Sequence, residues 1–169
     1  MDFTHQKTFV ITGENDVLNM YSSDIPYAAH SLTPELTIRD YNAGYDMFIP
    51  DNCTVAPHAC MKINLKIRCK HVIRTDNGFV NCEYQLHPRS SIANTPLIGN
   101  IGIIDAGYNG YLHAVVRNLS DEPYTITAGT RLFQLVSPIV GPNSIVKVDE
   151  SSELFRPMIR GDGRFGSTN

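Results

Sequence analysis

Three features of the sequence predict an all-β fold, a sandwich or jelly roll. Residues 61–69 alternate strictly, with Met61, Ile63, Leu65, Ile67 and Cys69 on one side and Lys62, Asn64, Lys66 and Arg68 on the other. That period of two belongs to a half-buried strand. Next, Asn77–Gly78, a hairpin dipeptide, separates this run from Phe79–Leu86, which places Val80, Cys82, Tyr84 and Leu86 on one face. Finally, short apolar and β-branched runs recur between Gly, Pro, Asn and Asp, and no amphipathic helical window exceeds a turn or two.

Taken in order, the first strand candidate is Thr8–Thr12, inside a segment 1–36 that reads as an arm or edge strand and carries no recognisable chemistry. Ala43-Gly44-Tyr45-Asp46 leads into Met47-Phe48-Ile49, so Asp46 opens a strand and points away from its apolar neighbours. Pro50, Asp51 and Asn52 mark a turn. After the hairpin around Asn77, further strands are predicted at Ile101–Ile104, Tyr111–Arg117, Tyr124–Thr127, Arg131–Val136 and Ile145–Val148. There is no internal repeat.

The 169 residues suit one domain, and 42% hydrophobic against 18% charged residues argues for a packed core. A net charge of −3 offers no general attraction to nucleic acid, so any phosphate site must be local. No apolar stretch approaches a membrane span and no signal-peptide pattern opens the chain, so a soluble, intracellular protein is expected, in cytoplasm or nucleus. Cys53, Cys60, Cys69 and Cys82 form no close pair, which argues against a zinc site and for reduced, mostly buried thiols.

Chemistry concentrates in four places. Residues 97–117 place a carboxylate, Asp105, at the mouth of a Gly- and Asn-rich turn with Tyr108 and with Gly102, Gly107 and Gly110. An acid, an aromatic ring and exposed amides can bind a base and sugar and activate water, although an ordinary hairpin with an Asp turn residue has the same text. Arg89, Ser90 and Ser91 follow a strand and suit phosphate oxygens; alternatively one serine caps a short helix. In Gly129–Leu135, Arg131 reads as an internal ion-pair partner and Gln134 as a ligand contact. The end of the chain, residues 160–169, matches G-x-G-x-x-G as text but lacks the strand and helix that mechanism needs, and Ser167 stands where a P-loop requires lysine. A glycine-hinged tail with two arginines could instead fold over a phosphate ester.

In this order, Ala43–Asp46, Pro88–Ser91, Gly102–Gly110, Gly129–Leu135 and Arg160–Thr168 resemble the five motifs of the trimeric dUTP diphosphatases (dUTPases). The resemblance implies a jelly-roll, β-clip subunit over 37–155, a mobile tail over 156–169, and a homotrimer in which the tail of one chain covers a pocket on its neighbours. It implies hydrolysis of dUTP to dUMP and pyrophosphate with Mg2+, which limits uracil in DNA and supplies dUMP for dTMP synthesis. Asp105 matches the general base and Tyr108 the ring against the deoxyribose. Asn100 and the backbone of Gly102, Ile103, Ile104 and His113 match uracil contacts. Arg89, Ser90, Ser91 and Gln134 match phosphate ligands, and Asp46 holds water on the metal. In the tail, Phe165 matches the ring over the base, and Arg160, Gly166, Ser167 and Thr168 the remaining contacts. Neither nucleic acid nor membrane is an expected partner.

Two residues depart from the pattern. Asn109 stands at a common Arg and is expected to face outward; Arg164 stands at a frequent Gly. The nearest rival, a dCTP deaminase, needs a glutamate ten residues past the hairpin aspartate, where this chain has Val115. A third reading is a non-catalytic jelly-roll binding or regulatory protein.

Overall fold

The computed structural model describes residues 7–21, 42–139, 141 and 143–155. Its strands are β1 (Lys7–Gly13), β2 (Gly44–Phe48), β3 (Cys53–Val55), β4 (Cys60–Asn64), β5 (Ile67–Thr75), β6 (Gly78–Cys82) and β7 (Tyr84–Pro88). They continue with β8 (Leu97–Gly99), β9 (Gly102–Ile104), β10 (His113–Asn118), β11 (Tyr124–Ile126), β12 (Arg131–Val136) and β13 (Asn143–Lys147). One helical turn, α1 (Asn15–Leu18), and 3₁₀ turns at Ser90–Asn94 and Glu153–Phe155 interrupt them. The expected all-β architecture is present.

The strands form four sheets ordered β13-β1-β5-β6, β2-β12-β7-β9, β4-β10-β8 and β11-β3. All four contribute to one apolar core: Phe9 and Ile11 from β1, Met47 from β2, Val55 from β3, Ile63 from β4, Leu86 from β7, Ala114 and Val116 from β10, Ile126 from β11, and Leu135 from β12. A smaller cluster of Val10, Val72 and Phe155 lies on the other side of β1 and β5. This two-sided burial explains why β5 is buried at four consecutive positions, Cys69 to Val72, instead of alternating there.

The structure corrects several expectations. The run 61–69 is two strands, because Lys66 adopts φ 54° and turns the chain from one sheet into another. The side-chain alternation survives on both sides of that corner, so the sequence pattern could not show it. Phe79–Leu86 likewise breaks at Glu83, leaving Val80 exposed while Tyr84 and Leu86 are buried. Nor is the N-terminal strand at an edge, since β1 lies between β13 and β5. Of the cysteines, all free, only Cys69 is buried; Cys53 and Cys82 are half-buried and Cys60 is exposed.

Candidate active site

β2, β12 and β7 lie side by side, and their register sets Gln134 opposite both Asp46 and His87. Asp46 holds two guanidinium groups at once: its Oδ1 is 2.7 Å from Arg89 Nε and its Oδ2 is 3.2 Å from Arg131 Nη1. Arg89 Nη1 also donates to the Arg131 carbonyl at 3.0 Å. The expected ion pair of Arg131 is therefore present, and Arg89 shares it. Two cations around one carboxylate leave a positive surplus, which suits phosphate in an acidic protein. Gln134 lies over Gly44, where a Cβ would come 2.2 Å from Gln134 Oε1, so the motif glycine makes room for the amide.

Ser90 and Ser91 open the 3₁₀ turn, but neither caps it: the N-cap position is Arg89 and no side chain closes it. Ser91 Oγ is instead buried, with no hydrogen-bond partner among the described residues. A buried hydroxyl in that state is a donor awaiting an acceptor.

Support for this sheet comes from the N-terminal segment to which the sequence assigned no chemistry. Tyr21 is fully buried, accepts a hydrogen bond from Phe48 N at 3.0 Å, and stacks on Tyr45. Lys147 Nζ in turn donates to the Tyr21 carbonyl at 2.8 Å. Burial pushes Tyr45 up to about 12, so both rings stay neutral.

The second group forms around residues 97–117, where the expected hairpin does not exist as a paired ladder. β9 bonds to β7, whereas β10 bonds to β4 and β8. Between them is a cleft of about 540 Å³ lined by Asn100, Ile101 and Gly102 on one side, His113 and Val115 on the other, and Cys60, Met61 and Lys62 of β4, with the two sides joined by the bond from Asn100 N to the Val115 carbonyl at 3.0 Å. Asn100, Gly102 and His113 were expected together and are together. Ile103 points outward at 72% exposed and Ile104 inward to the core, and neither is among the residues that line the cleft. The β4 residues were not foreseen, since their alternation read only as strand.

The turn that joins the two strands carries Asp105, exposed, and Tyr108, half-buried. Tyr108 N donates to the Asp105 carbonyl at 2.9 Å, and Tyr108 Oη to the Tyr111 carbonyl at 2.9 Å. The phenol curls across Gly110, where a Cβ would lie 2.5 Å from Tyr108 Oη. Asn109 does not face outward as expected: its Oδ1 is buried and the residue lines a second cavity with Arg68, Tyr111 and Glu150. Two residues of β5 meet this loop: Lys70 bonds the Tyr108 carbonyl at 2.8 Å, and Arg68 lines the same cavity as Asn109. Arg160, Phe165, Gly166, Ser167 and Thr168, with Arg164, lie outside the described residues.

No cluster of three or more His, Cys, Asp or Glu able to hold a metal occurs among the described residues. Asp46 already engages a guanidinium through each oxygen, yet each oxygen retains acceptor capacity. Asp46 could therefore accept hydrogen bonds from the water shell of a magnesium ion that a polyphosphate would bring.

The arrangement is that of an all-β nucleotide hydrolase, and comparison with known proteins agrees. The dUTPase family model matches residues 33–169. The chain is 32% identical over 141 residues to a deoxyuridine 5′-triphosphate nucleotidohydrolase of African swine fever virus, covering 79% of this chain and 83% of that one. It is 31% identical to a protein of the same name from Picosynechococcus, covering 75% and 84%. Among solved structures, the Staphylococcus bacteriophage 80alpha dUTPase matches with TM-score 0.52 and 22% identity over 80% of this chain and 93% of that one, a likeness of fold. The chain belongs to the dUTPase family.

Proposed function

We propose that the chain hydrolyses dUTP to dUMP and pyrophosphate, with Asp105 as general base. The observation that carries this reading is the cleft between β9 and β10, which gathers Asn100, Gly102 and His113 and whose walls are joined by the turn bearing Asp105 and Tyr108. Strands that do not bond to each other leave room for a flat base between their backbones, where main-chain groups can read a uracil edge.

In the reaction, Asp105 takes a proton from water as the water oxygen bonds to the α-phosphorus. The bond from that phosphorus to the bridging oxygen breaks, and pyrophosphate leaves with the electron pair. Tyr108 packs against the deoxyribose and leaves no space for a 2′-hydroxyl. Arg89, Ser90, Ser91 and Gln134 hold the phosphates, with Ser91 Oγ supplying its unspent donor. Asp46 has two tasks: it orients Arg89 and Arg131, and it would hold the water shell of a magnesium ion bound with the triphosphate. Mg2+, when bound with the triphosphate, neutralises phosphate charge.

The two groups of residues complete one site in a homotrimer, and the segment 156–169 of a neighbouring chain closes over it through Arg160, Phe165, Gly166, Ser167 and Thr168. Turnover of this kind limits uracil in DNA and supplies dUMP. No helix among the described residues is long and apolar enough to cross a membrane.

Pyrophosphate release from dUTP, UTP and dCTP tests the reading. The expected result is turnover of dUTP alone. Equal hydrolysis of UTP would remove the role of Tyr108, conversion of dCTP to dUTP would favour the deaminase, and no turnover at all would favour a binding protein.

A further inference from the structure

Lys70 sits in the middle of β5, opposite Val10 of β1, and is 2% exposed. A lysine in such a place needs acceptors, because an unsatisfied buried ammonium is far more costly than an apolar residue of the same length. Its acceptors are the turn of the candidate site: Nζ donates to the Tyr108 carbonyl at 2.8 Å and reaches the Ala106 carbonyl at 3.5 Å. Burial lowers its pKa from the ordinary lysine value, as expected for an ammonium removed from water.

Four carbonyls of this turn are then held. The Asp105 carbonyl receives Tyr108 N, the Ala106 and Tyr108 carbonyls receive Lys70, and the Tyr111 carbonyl receives Tyr108 Oη. Since β9 and β10 do not bond to each other, no ladder performs this task. The ring of Tyr108 is fixed at both ends, at its hydroxyl by Tyr111 and at its backbone by Lys70.

We propose that Lys70 is a positioning residue of this site, holding the turn from below so that Asp105 and Tyr108 stand where a deoxyribonucleotide is admitted and a ribonucleotide refused. The proposal rests on the functional reading above, in which Tyr108 meets the sugar.

Lys70→Met keeps the apolar stem and removes the ammonium. In the full-length protein, kcat for dUTP is expected to fall roughly 10- to 100-fold, the scale of a reacting geometry loosened by about an ångström, with a smaller change in KM. The preference for dUTP over UTP is expected to fall by about tenfold or more over the same range. Lys70→Gln, which retains an N–H donor, is expected to recover part of both. In a double-substitution cycle with Tyr108→Phe the effects on sugar preference should not add, because both act on one ring. Amide exchange at Tyr108 should quicken in Lys70→Met. A variant that melts at a lower temperature yet keeps wild-type rate, sugar preference and Tyr108 exchange would overturn the proposal and leave Lys70 a stabilising residue only. Should Lys70→Met fail to fold, Lys70→Gln is read by the same measurements. An unsubstituted protein that leaves dUTP intact would defeat the functional reading instead, and amide exchange would then decide the clamp alone.

Discussion

Two turns of this molecule look alike as text and differ in construction. The connection between β5 and β6 is a paired hairpin: Thr75 lies opposite Gly78, Asp76 and Asn77 form the loop, and Gly78 takes φ +116°. Its backbone groups are consumed by the partner strand, and it ends in solvent with Phe79 71% exposed. The connection between β9 and β10 joins strands of two different sheets, so side chains hold it: Tyr108 through its hydroxyl and Lys70 from the strand beneath. A ladder leaves nothing between its strands for a ligand; two unpaired strands leave a slot. The hairpin with the stronger sequence signal is thus the inert one.

The largest expected effect separates the two regions outright. Asp105→Asn should lower kcat for dUTP about 10²- to 10⁴-fold, the range of a lost general base, while the melting temperature stays unchanged because the residue is exposed. Pyrophosphate release and a thermal melt together check this.

Glycine substitutions sharpen the contrast. Gly110→Ala forces the Tyr108 phenol away from Tyr111 and should reduce kcat/KM for dUTP about tenfold, or ~1.4 kcal/mol, along with sugar preference. Gly78→Ala meets no atom within 4 Å but is strained by its positive φ. It should cost about 1–2 kcal/mol of stability, read by denaturant unfolding, and leave turnover intact.

Both turns depend on β5, and acid probes that strand. His71 is buried in it beside Phe9 and Tyr84 and bonds through Nε2 to Asn143 Oδ1 at 3.2 Å. Burial lowers its pKa, Lys7 adds to the effect, and Asn143 and Glu83 oppose it. The folded state therefore binds this proton less readily than the unfolded chain. The stabilisation is complete above about pH 6.5 and is lost as pH falls below it, by up to ~1.4 kcal/mol per pH unit until the lowered value is reached. His71→Gln should flatten the fall in melting temperature between pH 7 and 5. The smallest effect is expected at the hairpin tip, where Phe79→Ser should alter stability by no more than about 0.5 kcal/mol and leave dUTP turnover unchanged.

Much of this site was legible because its residue types are unusual where they stand. Asp105 is an acid that ends a β-branched run, and Arg131 and Gln134 are polar interruptions of an apolar one. What stayed hidden depends on pairing partners. Lys66 turns a corner without disturbing the alternation around it, so one expected strand is two. Tyr21, in a segment without recognisable motifs, supports β2 from 27 residues away. Asn109 has its Oδ1 buried in a loop whose Tyr108 carbonyl is held by Lys70 of β5, 38 residues away in sequence.

By itself the sequence determined the strand periodicity, the turn positions and the order of the chemical groups, since each follows from neighbours close along the chain. Tertiary structure alone decided which strands bond, and hence that β9 and β10 part to form a cleft. A strand's two edges are identical in sequence, and the identity of the partner rests on long-range core packing that no local pattern encodes.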